Sequence, residues 1–211
     1  MKIVIMGAPS CGKGIQSKLI QEKFGYNNIS TGQILRDFVN EGNKQSKKLK
    51  SIMNQGKFVS DSLMCKIVND YFNKNGDEDY ILDGFPRTVK QVKFLIKYHC
   101  PDIVLFLQTD KDNAISRVED RVVCPTCRRS YSKKNLKNLI CPEDNTKLIK
   151  REDDNLSTYS KRYDIFEKET KPVLEVFNKK GLLKIIQNNG TIEDTFENIS
   201  KLIGEKVNYN D

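Results

Sequence analysis

The sequence predicts an α/β fold built on a doubly wound parallel sheet, and two observations carry that prediction. Short apolar runs without polar alternation recur at residues 3–6, 80–82, 103–107 and 182–186. Rich in Ile, Val and Leu, they suit strands covered on both faces. Longer helix-periodic stretches separate them, and strands alternating with helices imply sheet-centred α/β architecture.

In chain order, residues 3–6 read as the first strand and 13–24 as the first helix. Residues 61–75, 88–97 and 111–121 read as helices interleaved with the next two apolar runs. The stretch 159–180 reads as a long helix with Pro172 as a kink or break, because proline lacks the amide donor. Thr191 reads as the N-cap of a final amphipathic helix. Two segments leave this rhythm. Residues 30–60 show no strand, only helix-like stretches punctuated at Gly32, Gly42 and Gly56. Residues 121–154 are polar and contain Cys124, Cys127 and Cys141. Both read as insertions on one core rather than as separate domains.

Composition narrows the function classes. The chain has 211 residues, 37% apolar and 30% charged, which suits one domain with a well-solvated surface. A mean hydropathy of -0.58, with no unbroken apolar stretch of about 18 residues, excludes a membrane-spanning helix. The apolar residues before Gly7 are too few for a signal-peptide core, which points to the cytoplasm. Six cysteines without an export signal then read as reduced thiols, metal ligands or reactive groups. The net charge of +8 leaves nucleic acid, anionic lipid and phosphorylated small molecules open as partners.

The first chemical motif is Gly7-Ala8-Pro9-Ser10-Cys11-Gly12-Lys13-Gly14, between the first strand and the first helix. Glycines let the backbone close around phosphate oxygens, whose charge is favoured at a helix N-terminus. Lys13 adds a compact cation for the outer phosphates. The bland alternative, a glycine-rich turn with a surface lysine, does not account for the flanking strand and helix. No hydroxyl follows the lysine: Gly14 and Ile15 occupy those positions.

Four further stretches are more specific. Ser30-Thr31-Gly32-Gln33-Ile34-Leu35-Arg36 opens the first insertion, and Gly56-Lys57-Phe58-Val59-Ser60-Asp61 closes it. Asp83-Gly84-Phe85-Pro86-Arg87-Thr88 follows a strand, with Gln91 one turn later. Arg121, Arg151-Glu152-Asp153-Asp154 and Arg162 lie in and after the second insertion. In this order and spacing the chain resembles an adenylate kinase of the long, zinc-containing lid type, over nearly its whole length. The resemblance implies a P-loop nucleoside monophosphate kinase fold with a parallel sheet. It implies a core of residues 1–29, 60–120 and 155–211, a monophosphate-binding segment of 30–59 and a lid of 121–154. It also implies Mg²⁺ with the nucleotide, a monomer, and ATP, AMP and ADP as partners rather than nucleic acid or membrane.

Phosphoryl transfer spreads negative charge over the moving oxygens, so the protein's task is positioning and charge stabilisation. Arginines suit it because they stay protonated and grip phosphate with a planar fork. By resemblance, Arg36 and Arg87 hold the acceptor's phosphate, Arg121 the donor's triphosphate, and Arg151 and Arg162 reach toward the transferred group. Lys13 with Ser10, Cys11, Gly12, Gly14 and Ile15 forms the donor's phosphate loop, joined by Arg117, Ser130, Tyr131 and Ile192. Thr31, Lys57, Phe58, Val59, Gly84, Phe85, Pro86 and Gln91 complete the AMP pocket. Gln91 carries an amide able to pair with adenine's amino group and ring nitrogen. Related UMP/CMP kinases generally differ at the threonine and glutamine positions, which favours AMP. Asp83 fits an acid that orients magnesium-bound waters, while Asp153 and Asp154 order the closed lid.

Cys124-Pro125-Thr126-Cys127 and Cys141-Pro142-Glu143-Asp144 form two knuckles thirteen residues apart. Two such turns can present four tetrahedral ligands to Zn²⁺, and four protein ligands leave a structural rather than a catalytic ion. Cys-x-x-Asp as the second pair occurs among zinc-lid adenylate kinases, making Asp144 the fourth ligand. A redox Cys-x-x-Cys is the rival, but such motifs carry no second knuckle. Cys11, Cys65 and His99 need no function.

Some positions depart from the family: Ser10 for a glycine, Ile15 for a threonine that meets the donor phosphates, Gln33 for an acid near the metal, Arg128 and Ser132 for Gly and His. One lost hydrogen bond to a charged phosphate costs on the order of 1.5–3 kcal/mol, which slows such an enzyme without abolishing it. Alternatives stay open at this point. One is a GTP:AMP phosphotransferase; another is a catalytically weakened nucleotide-binding protein. A zinc-ribbon nucleic-acid binder is the rival of a different class, and it predicts basic residues grouped on one face.

Overall fold

A computed structural model describes residues 1–40, 42, 44–76 and 78–208. Residues 41, 43, 77 and 209–211, which fall inside the predicted monophosphate-binding and core ranges, lie outside the described residues. The main sheet has five parallel strands: β1 (Lys2–Gly7), β2 (Asn27–Ser30), β3 (Tyr80–Asp83), β4 (Ile103–Gln108) and β7 (Leu183–Gln187), in the order β2-β3-β1-β4-β7. The missing alternation has a direct cause. Ile3 and Ile5 pack with Ile20, Ile199 and Ile203 of α1 (Lys13–Phe24) and α9 (Ile192–Asn208). Val4 and Met6 face the other way, toward α4 (Asp61–Asn75), α5 (Val89–Tyr98) and α8 (Lys171–Lys179) through Val68, Val92 and Val173. Both faces are covered, so both must be apolar.

β2 is a strand that the apolar-run criterion misses. Of its four residues only Ile29 is buried and apolar, because the strand lies at the sheet edge. Its last residue is Ser30; α2 (Thr31–Asn40) and α3 (Lys44–Asn54) follow, as the lack of strand signal beyond Ser30 predicts. The predicted long helix begins earlier, at Leu156, where the Asn155 side chain accepts from the Thr158 N–H at 2.8 Å. It does not break at Pro172. After α7 (Leu156–Ile165), the segment Phe166–Thr170 widens into a π-helical turn, and the Lys171 N–H reaches back to the Phe166 carbonyl before α8 resumes. That register shift absorbs the donor and space that proline disturbs. The final helix starts as predicted, with Thr191 and Asp194 exchanging hydrogen bonds of 3.1 and 3.2 Å in a capping box.

α6 (Lys111–Asp120) leads into the polar insertion, which carries two strands absent from the sequence reading. β5 (Arg121–Val123) and β6 (Ser130–Ser132) pair antiparallel over a small core of Val122, Cys124, Cys141 and Leu148. Three residues per strand are too few for a periodicity signal. The carboxyl ends of β1, β2, β3, β4 and β7 all open on one side. The chain crosses β1 between β3 and β4, the switch point where such sheets bind ligands.

Candidate active site

The phosphate loop leaves β1 at Gly7. A side chain there would meet Cys11 Sγ at 2.5 Å and the Leu107 carbonyl at 2.8 Å, so the position admits only glycine. Ser10 takes a left-handed conformation, φ 61°, that glycine adopts without cost. Lys13 folds over the loop, its Nζ donating to the Gly7 and Ala8 carbonyls at 2.9 and 2.8 Å. Gly12 heads α1 at φ 98°, and Gly14 lies one side chain from Asp83: a Cβ on it would sit 3.9 Å from the Asp83 carboxylate. Cys11 is fully buried in the core beneath β1, which accounts for it as packing.

A second layer holds this loop from behind. Arg117 donates to the Cys11 carbonyl and to the Asn188 carbonyl, both at 3.0 Å. Asn188 donates to the same Cys11 carbonyl and to Thr109 Oγ1, and accepts from Thr195 Oγ1 at 3.0 Å. Gln16 donates to the Ile192 carbonyl at 3.0 Å, tying α1 to the start of α9. Sequence reasoning missed Asn188, Thr109, Thr195 and Gln16. The available signal was position: Thr109 and Asn188 stand directly after the strands β4 and β7.

Five arginines from four distant stretches gather in one charged cluster, and Asp83, which neighbours the loop at Gly14, acts on two of them. Burial and the charges of Arg121 and Arg162 lower the Arg36 pKa, against the opposing pull of Asp153 and Asp83. Arg87 is lowered in the same way, by burial and by Arg162 and Arg36, with Asp83 opposing. Arg151 is brought down to about 10 by burial and by its neighbours Arg36 and Arg121. A cluster of like charges this close is costly alone and complementary to polyphosphate. Two carboxylates share it. Arg121 donates through Nε to Asp154 at 2.7 Å and pairs with it through Nη2, and Arg162 Nη2 donates to Asp153 at 2.5 Å. Burial alone would raise Asp153; the Arg162, Arg151 and Arg36 charges outweigh it and hold the carboxyl below its usual range.

The predicted acceptor residues line one wall. Thr31 is buried and donates from Oγ1 to the Asp83 carbonyl at 3.1 Å. Gly84, at φ 87°, leaves 2.7 Å between a Cβ and Thr31 Oγ1, so a side chain would collide. Phe85 is buried and the Phe85–Pro86 peptide is cis. Arg87 donates to the Gly84 carbonyl at 2.8 Å and lies over the Phe58 ring, 5.3 Å from its centroid. Val59 is buried and Lys57 exposed. Gln91 is 2% exposed; its carbonyl accepts from the Arg87 N–H at 2.7 Å and its amide donates to Asp61 at 2.8 Å. These two bonds fix the orientation of the amide.

The lid knuckles bring Cys124, Cys127, Cys141 and Asp144 together, their ligand atoms all within 4.8 Å of one another. Tetrahedral zinc with Zn–S near 2.3 Å requires sulfurs roughly 3.8 Å apart; Cys127 and Cys141 Sγ are 3.6 Å apart. Burial, partly offset by the Arg129 N–H, and the neighbouring sulfurs push the Cys127 thiol up to about 11. Three sulfurs and one carboxylate oxygen fit zinc. Tyr131 turns toward this cluster, its hydroxyl 3.3 Å from Cys141 Sγ, and Ser130 pairs with Val123 in the small sheet.

A family model described as adenylate kinase matches residues 5–182. The adenylate kinase of Caldanaerobacter subterraneus subsp. tengcongensis is 34% identical over 98% of both chains. That of Thermotoga neapolitana is 36% identical over 96% of both, and that of Mesomycoplasma hyopneumoniae 35% over 95% of this chain and 97% of its own. Fold, phosphate loop, arginine cluster and comparisons agree: the chain belongs to the adenylate kinase family, phosphotransferases that act on nucleoside monophosphates.

Proposed function

We propose that the chain moves a phosphoryl group reversibly between ATP and AMP, giving two ADP, and that the residues named above carry the step. The observation that supports this reading most is the gathering of Arg36, Arg87, Arg121, Arg151 and Arg162 into one cluster with Asp83, which neighbours the phosphate loop at Gly14. Lys13 and the loop amides hold the donor's outer phosphates. Arg36 and Arg87 hold the acceptor's phosphate, and Arg121, Arg151 and Arg162 meet the charge that develops between them. The fixed guanidinium forks act as pre-set stabilisation of that charge, with no proton relay required. Thr31 and Gln91 select adenine on the acceptor side. Asp83 faces the loop at Gly14 and fits an acid that orients magnesium-bound water; Mg²⁺ bound with the nucleotide neutralises phosphate charge.

Residues 30–59 and 121–154 act as two closing segments that exclude water. Zn²⁺ on Cys124, Cys127, Cys141 and Asp144 is structural. Because every proposed site residue comes from one chain, a monomer suffices, and the cytoplasm supplies these nucleotides and keeps thiols reduced. Purified protein given only ADP and Mg²⁺ is expected to form equal ATP and AMP; no product at high enzyme concentration overturns the reading. Lys13→Ala and Arg87→Ala are each expected to cut kcat by on the order of 10²–10³. Comparing ATP with GTP at fixed AMP identifies the donor.

A further inference from the structure

Asp37 and Gln33 lie outside the machinery assigned above, yet they connect the lid to Arg36 without a gap. Arg128, directly after the first cysteine knuckle of the lid, places Nη1 2.8 Å from Asp37 Oδ2 on α2. The other Asp37 oxygen accepts from Gln33 Nε2 at 2.9 Å. Gln33 Oε1 in turn accepts from Arg36 Nε and Nη2, at 3.2 and 3.0 Å. Each group uses both of its ends. The Gln33 amide therefore has one workable orientation, nitrogen toward Asp37 and oxygen toward Arg36.

We propose that Gln33 and Asp37 are positioning residues that transmit the lid's contact, made by Arg128, to the acceptor-binding guanidinium of Arg36. The proposal rests on the phosphotransferase reading above. It explains why an amide stands at position 33. A glutamate there would set an unprotonated oxygen against the Asp37 carboxylate at 2.9 Å, a repulsive contact, whereas the amide donates. It also gives Arg128 a role. That residue holds a left-handed φ of 65°, where glycine is at ease, so the arginine is kept for its side chain rather than its backbone. Because the Arg128–Asp37 pair is more than a third exposed on both sides, it biases the closed arrangement without locking it.

The donor and acceptor at positions 33 and 37 can be exchanged. Gln33→Glu alone should raise the KM for AMP. Gln33→Glu with Asp37→Asn should restore it, since the amide introduced at position 37 then donates to the new carboxylate at position 33. Arg128→Gly should raise the AMP KM roughly two- to fivefold, the scale an exposed ion pair supplies, and weaken its salt dependence. The KM for ATP and the metal content should stay near wild type throughout. Steady-state rates with each substrate varied, and calorimetric AMP titrations in the presence of an ATP analogue that cannot transfer its phosphoryl group, read these effects. Unchanged AMP affinity in Gln33→Glu, a double variant no better than the single, or equal losses for ATP and AMP would overturn the relay. Absence of AMP binding by the wild-type protein would instead overturn the reading it stands on.

Discussion

Ser10 holds φ 61° inside the phosphate loop, where the family usually has glycine and where a side chain costs about 1–2 kcal/mol. Replacing it returns part of that gain as unfolded-state entropy, roughly 0.5–1 kcal/mol. Ser10→Gly is therefore expected to stabilise the protein by about 0.5–1 kcal/mol in urea unfolding, with phosphoryl transfer retained. An unchanged or lowered midpoint would show that the serine hydroxyl contributes more than its backbone costs. At this scale sequence reading does well for backbone-driven residues: Gly7 and Gly84 are fixed by contacts under 3.0 Å. It does not reveal that Arg117 donates to the Cys11 and Asn188 carbonyls or that the Tyr131 hydroxyl faces the cysteine cluster. Motif spacing names a residue; it does not say which of several nearby acceptors its side chain meets.

Among the elements, the lid is the part with the least apolar support. Its core comprises Val122, Cys124, Cys141 and Leu148 with a few half-buried neighbours, so on the proposed reading a metal ion held by the four-ligand cluster would supply much of its order. Asp144→Ala is expected to lower bound zinc and the temperature at which activity is lost, while kcat at low temperature changes less. Metal analysis and thermal inactivation on the same preparation check this, and a variant with full zinc content would exclude Asp144 as a ligand. The helix from Leu156 to Lys179 shows the opposite balance. Its π turn is anchored to the acceptor wall, Thr170 Oγ1 donating to the Arg87 carbonyl at 3.0 Å. Pro172 signalled a disturbance there, but a register shift and a break look alike in one dimension.

Across the whole molecule, ion pairs among the described residues join the lid to three helices: Arg129 to Glu22 of α1, Arg128 to Asp37 of α2, and Glu152 to Lys50 of α3 at 2.9 Å. These exposed pairs are individually weak. The arginine cluster beneath them is held against its own repulsion, which anionic ligands relieve. ATP with AMP is thus expected to stabilise the fold, by about 2.7 kcal/mol at 100 times Kd. For a domain of this size that is a Tm rise of roughly 5–11 °C, measurable by calorimetry. Arg87→Ala should shrink the AMP-dependent part, and no rise with nucleotide would contradict the assigned site. No helix among the described residues is long and apolar enough to cross a membrane.

By itself the sequence determined the doubly wound core, the phosphate loop, the identities of the clustered arginines and the four candidate metal ligands. The core, the loop and the cysteine pairs are written locally, in apolar runs, glycines required by backbone geometry and knuckle spacing; the arginines and Asp144 were named through the family resemblance. Only the tertiary structure decided the edge strand β2, the lid's small sheet, the Asn188 support behind the loop and the Arg128–Asp37–Gln33–Arg36 chain. Those features join polar groups distant in the chain, in strands too short or too exposed to leave a periodic trace. Hydrogen bonding between them depends on where the sheet's carboxyl ends bring them, which no single stretch of sequence encodes.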